Sequence, residues 1–141
     1  MTDRELLELA AKAAGYMPNN NWAWSERAQA FRYRLGGDWI EWNPLTDDGD
    51  ALRLAVTLGF AVKIDLRAGF SWVKKSISRS EPHNGDPYAA TRRAIVRAAA
   101  GIERAKHPLD QVHQALQDEF YASISYVQSD AETYGLEEPK P

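Results

Sequence analysis

The chain has 141 residues, 44% of them hydrophobic and 26% charged, with a formal net charge of −3 at pH 7. That length and apolar content predict one domain able to bury its own core, so neither a metal nor a partner is needed for folding. The absence of cysteine excludes disulfides, thiolate metal ligands and cysteine nucleophiles, and the lack of a signal peptide or a ~20-residue apolar span predicts a cytoplasmic protein without membrane contact.

The first predicted element is a helix over about residues 3–14. Thr2 followed by Glu5 is a capping-box pattern, apolar residues then recur at helical spacing, and Gly15 supplies a stop. Residues 17–25, which are rich in Asn and Trp, are interpreted as a loop that enters a strand.

Two β-hairpins follow, separated by a second helix. Apolar and charged residues alternate over 28–35 and again over 38–42, and two glycines between these segments predict a tight turn. A similar alternation begins at residue 60, and 60–66 and 70–77 are predicted as the strands of the second hairpin. Each half-buried hairpin needs a layer that covers its apolar face.

The helix between the hairpins is expected to start near a cluster of three aspartates and to end at Gly59. These aspartates are Asp47, Asp48 and Asp50. Clustered carboxylates also suit a hard cation such as calcium or magnesium, but their spacing is not that of an EF-hand loop. The first turn of a helix favours negative charge. We therefore expect the cluster to cap the helix, and expect no metal site.

Two more helices are predicted after the second hairpin. The run 81–86 consists of turn residues, and Asp86 followed by proline is typical of a helix start. This third helix is expected over about 87–104. A fourth, amphipathic helix is predicted over about 108–127, either packed on the same domain or paired with another chain.

The predicted element order is α-ββ-α-ββ-α-α, which favours an α/β (α+β) fold. About four mainly antiparallel strands with helices on both faces would form a three-layer α/β/α sandwich. We expect the main domain to span 1–106, the additional helix to span 107–128, and an acidic, loosely ordered tail to span 129–141. Val62 and Ile64 are expected to be buried in the core.

Charge is unevenly distributed along the chain. Residues 1–60 carry a net charge of −3, residues 61–107 a net +6, and residues 108–141 a net −6. A basic middle between acidic ends could form a binding face, or the acidic end could neutralise it within the chain. The acidic overall charge argues against nucleic acid as the partner.

The candidate binding residues come from this basic middle. Arginine side chains bind carboxylates and phosphates through paired hydrogen bonds, and an aromatic ring beside them can stack on a ligand. If the second hairpin and the third helix lie close together, their cations would form a site for an acidic protein surface, a phosphate or a nucleotide. The candidates are Trp72, Lys74, Lys75, Arg79, Arg92, Arg93 and Arg97. The alternative is a solvated charged face.

Catalytic chemistry has little support in the sequence. The histidines are His83, His107 and His113, and none stands in a recognisable catalytic pattern with a serine or a carboxylate. No phosphate-binding glycine loop is present, and no cofactor is expected. We therefore expect the protein not to be an enzyme.

Two segments resemble a known family. Residues 42–55 are WNPLTDDGDALRLA and residues 86–99 are DPYAATRRAIVRAA; both resemble the phage ABA sandwich family of small bacteriophage and prophage proteins. The resemblance covers roughly residues 2–104 and implies helix, sheet and helix layers. It implies no activity, because the family has no assigned function or catalytic motif to carry over. The segment from His107 onward departs from the family's pattern.

Three classes of function follow, in order of preference. The first is a phage or prophage accessory protein that binds a host protein and blocks it, as anti-defence proteins such as anti-CRISPRs do. The second is a protein that binds and sequesters a small anionic ligand or nucleotide, which is favoured if the cations and Trp72 line a pocket. The third is an enzyme with an unfamiliar site. The sequence leaves the partner's identity and the oligomeric state open.

Overall fold

Residues 1–17, 21–107 and 116 are described by a computed structural model of the chain. The chain divides after Lys106 into two units, and the elements described below all belong to the first, Met1–Lys106. The helix predicted over 108–127 and the tail predicted over 129–141 lie outside the described residues, apart from the single position 116.

Three helices and six strands make up the described part of the chain. In order they are α1 (Asp3–Ala13), β1 (Ala23–Ser25), β2 (Ala30–Leu35), β3 (Asp38–Trp42), α2 (Asp48–Leu58), β4 (Ala61–Asp65), β5 (Phe70–Lys74), β6 (Ser78–Pro82) and α3 (Pro87–Ala105). The strands form two antiparallel sheets, a first sheet in the order β1-β2-β3 and a second sheet in the order β4-β5-β6.

The helix ends follow the predicted signals closely. Thr2 and Glu5 form the reciprocal hydrogen bonds of a capping box at the start of α1. Asp47 caps α2 and Asp86 caps α3. Each carboxylate accepts a hydrogen bond from the backbone N–H three residues later, and for Asp86 this distance is 3.0 Å. Gly59 ends α2 in the left-handed region, at φ 68°, where a side chain would be strained. These predictions are confirmed.

The mixed α and β class is confirmed, but the strands differ from the prediction of about four in one layer. Each predicted hairpin has one additional strand, and the strands form two three-stranded sheets instead of one sheet. β1 lies in the stretch predicted to be a loop, and β6 (Ser78–Pro82) partly covers the turn residues of 81–86. β1 has only three residues, and β6 is mostly polar and ends in proline. Neither shows the alternation of apolar and polar residues from which a strand is predicted.

α3 lies at the centre of the fold, because α1, α2, β5 and β6 all pack against it. Its buried face is rich in alanine, and Ala94, Ala98 and Ala99 are fully buried. Small side chains let neighbouring elements approach closely, so larger residues such as Leu7 of α1 and Leu54 of α2 fill the space above them and are also fully buried.

Aromatic rings join the first sheet to the rest of the core. Trp22 stacks on Tyr33 of β2 with ring centroids 5.0 Å apart, and meets Trp42 of β3 edge to face at 5.5 Å. Tyr16, which follows α1, lies 5.7 Å from the Trp22 ring. Trp42 is 5% exposed. In this cluster the tryptophans therefore serve packing.

The prediction that Val62 and Ile64 are buried is wrong. Their side chains are 39% and 53% exposed, although the register puts them on the same face of the second sheet as the buried residues Ser71 and Val73 of β5. β4 is one of the two edge strands of that sheet, and α3 packs mainly on β5 and on the other edge strand, β6. Alternation correctly predicts which residues share a face, but the position of the covering helix decides which of them are buried.

Candidate functional site

A cleft of about 320 Å³ lies between α3, β6 and the start of α1. Its lining is formed by Met1, Leu6, Arg79, Glu81, Arg93, Arg97, Ala100, Gly101 and Arg104. We refer to it as the arginine cleft, because four guanidinium groups and one carboxylate supply its side-chain charge. The excess of positive charge makes an anion the complementary ligand.

The spacing of residues on α3 explains why its arginines converge. Arg97 follows Arg93 by four residues and Arg104 follows Arg97 by seven, so the three side chains share one stripe of the helix. On β6, Arg79 and Glu81 are two residues apart and project from the same face. The cleft is therefore built on regular elements and not on loops.

Gly101 allows β6 to come close to α3 at the floor of the cleft. A Cβ at this position would lie 3.0 Å from Nη2 of Arg79 and 3.0 Å from Cδ1 of Ile77. Separations this short require the neighbouring side chains to move. The absence of a side chain at Gly101 thus helps set the position of Arg79 beside the helix arginines.

The four arginines differ in how far their hydrogen-bonding capacity is used. Arg97 donates to Oε1 of Glu81 at 2.5 Å, and Arg93 lies 3.5 Å from Oδ1 of Asp3. The side chains of Arg97 and Arg93 are 41% and 43% exposed. The Arg104 side chain makes no hydrogen bond or ion pair with any residue in the described ranges, although its backbone carbonyl accepts from the N–H of Lys106. Each guanidinium carries five N–H donors, so most of the donors in the cleft remain available to a ligand.

Three of the predicted binding residues meet in this cleft: Arg79, Arg93 and Arg97. Arg92, the neighbour of Arg93, instead points to the loop that connects β3 with α2. Its Nε donates to the carbonyl of Leu45 at 2.8 Å and its Nη1 to Oδ1 of Asp48 at 2.6 Å. With a side chain only 17% exposed, Arg92 ties α3 to that loop.

The other predicted residues lie elsewhere. Trp72 and Lys74 occupy the face of β5 opposite to Ser71 and Val73, so they face away from α3. Lys63 of β4 lies over the Trp72 ring at 5.5 Å. Lys75 donates to the carbonyl of Leu58 at the end of α2, where a cation also complements the helix dipole. The predicted set is therefore divided among four places.

Two charged side chains of the cleft are absent from the predicted set, Arg104 and Glu81. Arg104 could have been found from its helical spacing relative to Arg93 and Arg97. Glu81 belongs to a segment predicted to be a turn, and a carboxylate among cations gives no signal until β6 is known to be a strand. Its side chain is 15% exposed, so it is held in place by Arg97.

His83 has a serine partner that no catalytic sequence pattern indicated. Its Nε2 lies 2.8 Å from Oγ of Ser71, which in turn lies 2.7 Å from Oγ1 of Thr91. Thr91 donates to the carbonyl of Pro87 at 2.7 Å. Ser71 has no exposed surface, so a substrate cannot reach its hydroxyl. This network joins β5, the end of the second sheet and α3, and is a structural one.

Each aspartate of the predicted capping cluster has its own partner. The cluster consists of Asp47, Asp48 and Asp50. Asp47 caps α2 by accepting from the N–H of Asp50 at 2.8 Å, and Asp48 pairs with Arg92. The largely buried Asp50 accepts from the N–H of Asn43 at 3.0 Å and from Arg53 at 2.8 Å. The hydrogen bond with Asp50 raises the pKa of Arg53 above its ordinary value.

Comparison with protein-family models, with curated proteins and with solved structures gave no match to this chain. Within the described ranges, no helix has the length and apolar character needed to cross a bilayer. The arginine cleft is therefore interpreted from its own chemistry.

Proposed function

We propose that the protein is a non-enzymatic binding protein whose arginine cleft holds a small anionic ligand that carries phosphate. One observation carries this proposal: three arginines of α3 and Arg79 of β6 line the same cleft with a single carboxylate, Glu81, among them. Guanidinium groups suit phosphate because their planar, paired N–H donors match its oxygens.

The size and lining of the cleft favour a small ligand. A volume of about 320 Å³ lies at the lower end of the range for small-molecule sites. Leu6, Ala100 and Gly101 contribute the apolar part of its wall. The aromatic residue Trp72 lies on the opposite face of the second sheet, and none of the described residues that line the cleft is aromatic, so the cleft offers no ring for stacking on a base. A phosphate or diphosphate group fits this lining better than a nucleotide recognised through its base.

The carboxylate of Glu81 competes with an anionic ligand for the guanidinium of Arg97. In the unliganded cleft this carboxylate accepts a hydrogen bond from Arg97, so an entering anion must share Arg97 with it. A multiply charged anion can do so because Arg79, Arg93 and Arg104 surround it as well. We therefore expect a diphosphate to bind more tightly than a singly charged anion.

A second candidate is binding of an acidic surface on a host protein. The exposure of the Arg93 and Arg97 side chains, 43% and 41%, favours it, because a glutamate or aspartate of another protein could reach both. This is the phage accessory role preferred from the sequence by analogy, and the three-layer arrangement that the resemblance to the ABA sandwich family implies belongs to the same proposal. No cofactor is part of either candidate.

Calorimetric titration of the full chain tests the two candidates against each other. The probes are inorganic pyrophosphate and a hexaglutamate peptide. We expect pyrophosphate to bind, and the double variant Arg97→Gln with Arg104→Gln to weaken binding at least ~10-fold, because charged hydrogen bonds contribute about 1.5–3 kcal/mol. Raising salt from 0.1 to 1 M should also weaken binding, since the Debye length falls from ~10 to ~3 Å.

The matched control is the double variant Arg27→Gln with Arg34→Gln, which removes the same charge from exposed positions of the first sheet region. It should bind pyrophosphate as the parent chain does. If both double variants weaken pyrophosphate binding equally, the effect comes from net charge alone, and the cleft is not the binding site. Binding of hexaglutamate without pyrophosphate would support the second candidate instead.

A further inference from the structure

β4 is an outer strand that presents apolar side chains to solvent. Among the described residues its only neighbouring strand is β5. Val62 and Ile64 are 39% and 53% exposed, and Leu66, which continues the alternation just beyond the strand, is 73% exposed. A free strand edge with apolar side chains is a template for pairing with another strand, and proteins commonly block such edges with proline, bulges or charge.

We propose that β4 pairs in antiparallel fashion with β4 of a second copy of this chain. A two-fold axis perpendicular to the sheet would pass beside Ile64. The two second sheets would then join into one sheet of six strands, with both α3 helices on the same face. This inference concerns a surface on β4 and does not depend on the arginine cleft.

Charge complementarity identifies the second copy as the partner and fixes the register. With the axis at Ile64, Lys63 lies opposite Asp65 of the second copy, and the same pair recurs on the other side of the axis. Opposite charges that face each other across an antiparallel pair stabilise it, whereas like charges destabilise it. If the axis lay at Lys63 instead, the two Lys63 side chains would face each other. The sequence of the edge is therefore complementary to itself in one register.

The same register also matches the apolar residues. Ile64 lies opposite Ile64 of the second copy, and Val62 lies opposite Leu66. Val62 and Ile64 lie on the face of the sheet that α3 covers further along, at β5 and β6, and Leu66 follows just beyond the end of the strand. Pairing would extend the sheet between the two helices and would remove these exposed apolar groups from water.

Cysteine crosslinking tests the register directly, because the chain has no cysteine of its own. In the full chain, Ile64→Cys places two Cβ atoms opposite each other at the axis, roughly 4.5–5.5 Å apart and close to the roughly 3.5–4.5 Å separation of a disulfide. Lys63→Cys places its thiols on diagonal positions roughly 7–8 Å apart. We expect mild oxidation to give at least ~5-fold more covalent dimer for Ile64→Cys. Equal crosslinking of both variants, or crosslinking of neither, would overturn the proposal.

Sedimentation of the full chain over a concentration series tests the charge pairs. We expect a dimer that dissociates on dilution and is weakened at least ~10-fold by Lys63→Asp, which puts two acidic groups opposite each other. Adding Asp65→Lys to that variant should restore the dimer. Leu52→Lys is the control, because Leu52 is 63% exposed on α2 and should leave the dimer unchanged.

A chain that sediments as a monomer at every concentration, or a double variant that stays as monomeric as Lys63→Asp, would contradict the proposal. Asp65 also accepts a hydrogen bond from the N–H of Ala68 at 2.9 Å, so melting curves should accompany each charge variant. If a charge variant fails to fold, the crosslinking ratio of Ile64→Cys to Lys63→Cys decides the question by itself.

Discussion

The two sheets share one strand order and are held in the molecule by different interactions. The first sheet is joined to the core by aromatic rings, and its buried rings are Phe31 and Trp42. The second sheet packs on α3, and Ser71, although fully buried, is hydrogen-bonded to both His83 and Thr91. Packing against a helix rich in alanine brings polar and charged side chains of β6 to that helix. The second sheet, which is held by polar contacts, is therefore the one that contributes residues to the arginine cleft.

A matched pair of tryptophans gives the largest expected contrast between the sheets. Trp42→Ala should lower the free energy of unfolding by about 3–5 kcal/mol, because it leaves a cavity among the packed rings. Trp72→Ala, on the outer face of the second sheet, should cost about 1 kcal/mol or less. Urea titrations of both variants measure the difference. Equal losses would mean that the two sheets are packed in the same way.

Two adjacent arginines sharpen the comparison at α3. Arg92 is tied to the loop after β3, and Arg93 faces the arginine cleft. Arg92→Gln should cost about 1–2 kcal/mol of stability, because the carbonyl of Leu45 and the carboxylate of Asp48 lose a charged donor, and pyrophosphate affinity should be kept. Arg93→Gln should change stability by about 0.5 kcal/mol or less and weaken binding. Melting curves measure the stability of each variant, and calorimetric titration measures its pyrophosphate affinity. A larger loss of stability for Arg93→Gln, or a larger loss of affinity for Arg92→Gln, would contradict this comparison.

The buried hydroxyl of the second sheet gives the next contrast. Ser71→Ala removes the atom that lies between His83 and Thr91, so an unsatisfied polar group is left in the core. We expect a loss of about 1–2 kcal/mol. Ser80→Ala, on the exposed face of β6, should be nearly neutral. Chemical denaturation checks both, and a neutral Ser71→Ala would remove the polar network from the account of this sheet.

Features set by local chemistry could be predicted from the sequence. Helix starts at Thr2, Asp47 and Asp86 depend on a side chain and a backbone N–H only three residues apart, and such contacts form whatever the tertiary arrangement. The glycine end of α2 is equally local. The helices were therefore predicted to within one or two residues of their bounds.

Features set by distant contacts could not be predicted in the same way. β6 forms because β5 offers it a partner, so its polar residues join a sheet without any apolar alternation of their own. Val62 was predicted to be buried because its pattern resembles that of Val73, yet only Val73 lies beneath α3. Strand burial depends on where a helix is placed, and alternation carries no information about that.

The candidate site was predicted in part for the same reason. Arg93 and Arg97 belong to the predicted set, and helical spacing puts them on one stripe of α3, along which the cleft lies. Arg92 differs from them by its contacts with Leu45 and Asp48, which are more than forty positions away in the chain. The pairing of His83 with Ser71 could not be predicted either, because it depends on how β6 pairs with β5.

The central position of α3 also determines how the protein should open. α3 contacts α1, α2 and the strands of the second sheet, so its amide hydrogens can exchange with solvent only when most of the core comes apart. β2 and β3 are joined to that core through rings on one side, and their hairpin can separate without disturbing α3. Amides of α3 should therefore exchange at the rate of global unfolding, and those of the first hairpin should exchange sooner by local opening.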